Sequence, residues 1–247
     1  MEYQFGSGKL VSVPTINLAG NNVTNPSPVI FGALQEVSVD FSATLKELFG
    51  LYTFPLAVAR GNVKITGKAK FAQINGALMN LVFGETVATG ETKENFQESG
   101  NTGANNTITV ANNSTFAQDL GVQYAANGVQ LQRGANAAAG VYTVSANGVY
   151  VFAANDANKA VKISYLYESA NTGKSFTINN QLLGLAPFFQ VVLNMAYQGQ
   201  GMTLTLNRAT SSKFTLATKL EDFLIPEFDF ACCADDSGVV GAVDIAE

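Results

Sequence analysis

Three carboxylates close together near the end of the chain, Asp222, Glu227 and Asp229, are by type the residues best suited to chemistry. A glycosidase can run on two such groups, one protonating the leaving oxygen and the other attacking or activating water, with no histidine involved. That route matters because the 247-residue chain contains no histidine at all. Ser-His-Asp and Cys-His nucleophiles, an imidazole base and the common histidine-bearing zinc sites are thereby excluded. The same acids sit beside Phe223, Phe228 and Phe230 around Pro226, which is also the pattern of solvent-facing alternate positions on a strand.

Other chemical motifs fall short. A phosphate-binding loop needs Gly, four residues, then Gly-Lys-Ser/Thr. Gly173-Lys174-Ser175 has Glu168 at the leading position, where a carboxylate opposes phosphate, and Gly67-Lys68 is followed by Ala69. Cys232 and Cys233, the only cysteines, are neighbours, and a disulfide between them closes no useful loop. If they bond, they bond to different partners. No cofactor or metal is expected, and the expected class is not an enzyme.

Charge is sparse and uneven. Charged residues make up 13% of the chain and the net charge is −5, which argues against tight binding to a phosphate backbone. Four of the 14 cations, Arg60, Lys64, Lys68 and Lys70, lie within 11 residues, and eight of the 19 carboxylates lie in the last 27 positions. These runs are either two solvated surfaces or the two sides of a head-to-tail contact between copies, which builds rings or filaments. No run of 18 apolar residues predicts a membrane span, and Met1-Glu2-Tyr3-Gln4 lacks a signal-peptide pattern, so synthesis in a cytoplasm is expected.

The elements that must position these residues are mostly strands. Val37, Val39 and Phe41 alternate with polar residues, as do Val63 and Ile65, then Val161, Ile163, Tyr165 and Tyr167, then Met202, Leu204 and Leu206, then Phe214 and Leu216. Asn127-Gly128 and Asn147-Gly148 mark hairpin turns. Such short strands, with 23 glycines to turn them, predict a mostly β sandwich or barrel. One segment differs: Phe71, Ile74, Leu78, Leu81 and Val82 recur at helical spacing, predicting a flanking helix over Lys70–Phe83 capped by Gly84, with Gly76 inside it. Residues 91–107 are polar and poor in β-branched side chains, the signature of a linker. A small inserted β module is therefore expected at 101–171, with a polar exit at 168–174, between halves of a core domain at 1–100 and 172–247.

The blocks FGALQEVSVDFSATLKELFG (Phe31–Gly50), FPLAVARGNVKITGKAKFAQINGALMNLVFG (Phe54–Gly84), SSKFTLATKLEDFLIPEFDF (Ser211–Phe230) and ADDSGVVG (Ala234–Gly241), taken together and in order, resemble the tail tube proteins of tailed bacteriophages. The resemblance implies a tail-tube-type β-sandwich or barrel with one flanking helix and an inserted β module. It implies homo-hexameric rings, stacked helically into a hollow tube that conducts the genome. The implied partners are further copies of the chain, a tail sheath protein, tail terminator and baseplate proteins, and genomic DNA passing without specific binding, with no membrane. The implied location is the virion tail, after synthesis in the host cytoplasm.

On this reading Glu36, Ser38, Asp40 and Ser42 form a candidate lumen face, provided Val37, Val39 and Phe41 point into the core. Lys64, Lys68 and Lys70 become candidate intersubunit contacts for Glu221, Asp222, Glu227 and Asp229 of another copy. Basic residues are then expected at contacts and not along the bore. Cys232 and Cys233 depart from the small or apolar residues expected at their positions, and read either as buried thiols or as intersubunit disulfides. The alternative is a surface-exposed β module that decorates a capsid or binds glycans.

Overall fold

The computed structural model of the chain describes residues 6–85, 87–198 and 200–246. It is mostly β, with 58% strand and 5% helix, so strand pairing and not helix packing carries the architecture. The early strands are β1 (Lys9–Ile16), β2 (Val29–Ile30), β3 (Gly32–Phe49) and β4 (Pro55–Gln73), followed by helix α1 (Leu78–Phe83). The middle holds β5 (Ala88–Asn101), β6 (Thr107–Thr109), β7 (Phe116–Tyr124), β8 (Gln132–Arg133), β9 (Val141–Val144), β10 (Val149–Val151) and β11 (Ala160–Ser175). The last four are β12 (Phe188–Tyr197), β13 (Gln200–Thr215), β14 (Glu227–Cys233) and β15 (Gly241–Ile245). Two compact units result: Met1–Val87 with Phe176–Glu247, here unit one, and Ala88–Ser175, here unit two.

Unit one is a single antiparallel sheet in the order β2-β1-β12-β13-β14-β4-β3, with β15 continuing the line of β14 along β13. The two ends of that order are one continuous segment, because β2 runs into β3 through Phe31. The sheet therefore curls back on itself, and the Phe31 ring lies 5.1 Å from Phe71 on β4 and 5.4 Å from Phe228 on β14. Alternate residues of each strand fill the interior: Leu10, Ala69, Phe71, Phe189, Val191, Leu204, Leu206, Phe228 and Phe230 are buried there with Leu78 and Leu81 of α1. Gly67 makes this packing possible, since a Cβ on it would fall inside the Phe230 ring.

The helix is shorter than its periodicity predicts. β4 continues through Gln73, with Gly67, Ala69 and Phe71 buried at period two, because β3 and β14 pair with it on both sides and satisfy its backbone groups. Phe71 thus belongs to a strand, Ile74 is exposed, and Gly76 precedes the helix instead of interrupting it. Gly84 does end α1, in the left-handed region at φ 66.

Unit two encloses its own core between a three-stranded sheet, β5-β11-β7, and a four-stranded sheet, β6-β10-β9-β8. Residues 91–107, expected as a linker, largely form β5, paired with β11 from Ala88↔Ser175 to Asn101↔Ala160. β5 needs few apolar residues because β11 brings Val161, Ile163 and Tyr165 to the core. The unit consequently begins at residue 88 and ends at 175, not at 101 and 171. Both Asn-Gly pairs turn the chain here, with only the glycines at positive φ.

Candidate assembly surface

The candidate lumen residues and the candidate contact lysines lie on one face of one sheet. Glu36 faces Lys70, Ser38 faces Lys68, Asp40 faces Thr66 and Ser42 faces Lys64 across β3 and β4. On the other side of β4, Lys70 faces Glu227 and Lys68 faces Asp229, and Asp229 in turn faces Lys213 on β13. This outer face is a ladder of alternating sign, four carboxylates against four ammonium groups. Lys70 Nζ lies 2.6 Å from Glu36 and 3.9 Å from Glu227, and Lys68 Nζ lies 2.9 Å from Glu227. The hydrogen bond that Lys70 donates to Glu36 raises the Lys70 pKa, and the one that Lys68 donates to Glu227 holds that carboxyl below its ordinary value.

Three of the sequence's contact candidates, Lys68, Lys70 and Glu227, are thus partnered inside one chain, because β14 returns beside β4 in register. Asp222 also has a partner in its own chain, Lys219 at 3.7 Å in the loop before β14, so that Lys64, Glu221 and Asp229 are the candidates with no ion pair among the described residues. Asp229 Oδ1 is buried without a hydrogen-bond partner. The expected separation of cations from the candidate lumen face does not hold within the chain. A lowered Glu227 pKa does not suit the general acid of a two-carboxylate glycosidase, only its ionised partner.

The other face of the covered part of the hairpin is apolar. Val37 and Val39 pack against the core as expected, but Phe41 is 60% exposed. Its cross-strand partner Ile65 is the last residue of β4 that β14 covers. Beyond that point β3 and β4 pair only with each other among the described residues. The nine residues Phe41–Phe49 alone span about 30 Å at ~3.4 Å per residue. Past the cover both faces of the ribbon carry exposed apolar side chains, Leu45 and Val58 on one and Leu48 on the other, with Phe49, Leu56 and Val63 also exposed, and Leu51, Tyr52 and Phe54 at its tip are at least 81% exposed. A lone two-stranded ribbon is marginal in water, and an apolar surface of this extent marks an interaction site. Periodicity located the strands, but only the endpoint of β14 shows that the ribbon runs on past its cover with apolar side chains exposed.

The cysteines lie on opposite faces of β14, as strand alternation requires. Cys232 packs against the core, where burial pushes its thiol up to about 11, while Cys233 is exposed; both are free. In a head-to-tail assembly a residue does not meet its own copy, so a Cys233–Cys233 staple is incompatible with a ring of that symmetry. No protein-family model matches the chain, and a comparison with curated proteins found none similar to it.

Proposed function

We propose that the chain is the structural subunit of a bacteriophage tail tube, forming hexameric rings that stack into a hollow conduit for the genome. The observation that carries this reading is the uncovered apolar ribbon of Phe41–Val63, attached to a sheet whose β3 edge has no second partner among the described residues. A neighbouring copy supplies both missing items: apolar surface for the ribbon and a strand for the edge. The resemblance of four ordered sequence blocks to tail tube proteins supports the same reading.

The charged ladder suits a wall along which DNA slides. Lys68 and Lys70 have their charge opposed at close range by Glu227 and Glu36, so little counterion release is gained there by a passing phosphate. Partners on this proposal are further copies, the tail sheath of a contractile tail, and terminator and baseplate proteins, in a virion assembled from host cytoplasm. Negative-stain microscopy of the purified chain tests it. Rings or tubes of uniform diameter with a hollow centre are expected; a monodisperse monomer at every concentration overturns the proposal.

A further inference from the structure

A depression of about 240 Å³ lies on the outward face of the three-stranded sheet of unit two. Its floor is Lys162 and Ser164 of β11, whose neighbours Val161, Ile163 and Tyr165 point the other way into the core. Both flanking strands bulge at this point. β5 places Phe96 and Gln97 against the single residue Ser164, with Gln97 at φ 57, and β7 inserts Leu120 beside Gly121 at φ 116. Paired bulges at one residue re-aim side chains around it, a common device next to binding sites. Here they raise Phe96, 67% exposed, and Leu120, 41% exposed, as rims on opposite sides.

The polar lining consists of Gln97, Gln123, Gln130, Lys162 and Ser164, with no carboxylate. Gln97 N–H donates to Ser164 Oγ at 3.1 Å, and Lys162 Nζ donates to Gln97 Oε1 at 3.2 Å. The ammonium group is therefore held in place by a neutral acceptor and keeps its full charge available. Amides and a hydroxyl that both donate and accept fit the hydroxyls of a sugar. An exposed aromatic face fits the apolar side of its ring, and a fixed cation fits a carboxylate.

We propose that this depression binds a pyranose ring bearing a carboxylate, an acidic residue of a surface glycan. Phe96 stacks on the ring, the three glutamines and Ser164 contact its hydroxyls, and Lys162 pairs with the acid. The site lies wholly within unit two and stands or falls independently of ring formation.

Saturation-transfer NMR titrations of the full chain with methyl glucuronide and methyl glucoside test it. The glucuronide is expected to bind more tightly. Phe96→Ala weakens both sugars and Phe96→Leu does the same, while Lys162→Gln weakens the glucuronide about tenfold and leaves the glucoside unchanged. An unchanged thermal midpoint in each variant separates lost binding from lost folding. Absence of transfer to the glucuronide, or binding indifferent to Phe96, overturns the site; equal binding of the two sugars overturns the assignment of an acidic ligand.

Discussion

Unit two completes itself and unit one does not. Among the described residues, unit one exposes twenty-four large hydrophobic side chains and unit two only four, a disparity far beyond their difference in length. Unit two also turns two of its carboxylates inward. Asp119, with its side chain 4% exposed, accepts hydrogen bonds from the hydroxyls of Tyr142 at 2.7 Å and Tyr150 at 2.8 Å. Asp156 accepts from Tyr124, Lys159 and the Gly140 amide. Burial works against its charge, yet those donors hold its pKa below the ordinary value. Unit one spends its carboxylates on an exposed ladder and leaves its apolar ribbon bare. The difference teaches that unit two buries its apolar surface within itself, whereas unit one leaves exposed the surface that the proposed assembly would cover.

The sharpest way to break this comparison is to make the ribbon polar. Leu45→Asp with Leu48→Asp should abolish assembly outright, leaving a folded monomer by circular dichroism and light scattering; rings that persist would show the ribbon to be irrelevant. Next, residues 88–175 expressed alone should melt cooperatively as a monomer, while a chain joining Val87 to Phe176 by a short glycine turn should still form rings. Failure of the fragment to fold would remove the distinction between the units.

A smaller effect is expected inside unit two. Asp119→Ala strips the acceptor from two buried tyrosine hydroxyls and should destabilise the unit by about 3 kcal/mol in denaturant melts, with assembly intact. The smallest effect belongs to the turn between β14 and β15. The Asp235 carboxyl sits at about 2, lowered by the Ser237 hydroxyl, the Val239 amide and Asn207. A depressed carboxyl stabilises the fold above its ordinary pKa, and that contribution disappears as pH falls through about 2. Amide exchange at Ser237 and Val239 should therefore stay slow from neutral pH down to the ordinary carboxylate range and quicken only below it.

Much of the fold was legible where one face of a strand is buried. Val37 and Val39, Ile163 and Tyr165, and Leu204 and Leu206 alternate because alternate positions enter a core. β5 was not legible, because its partner supplies the apolar surface and its own residues stay polar. The helix starts later than its spacing predicts because Phe71 and Leu78 share that spacing but belong to different elements. For the site, the sequence pairs Lys68 and Lys70 with Glu227 but between copies, since these residues are far apart in sequence and only the register of β4 on β14 joins them within one chain.

The pairing of Ala88 with Ser175 and of Thr89 with Lys174 means that the chain enters and leaves unit two through adjacent strands. Inserting or replacing a domain there closes a loop whose ends are already neighbours, so the entropy of closure depends little on what is inserted. The junction is in effect an interchangeable socket. On the proposed reading, a module exchanged at this junction leaves the β3–β4 ribbon and the charged ladder of unit one unchanged.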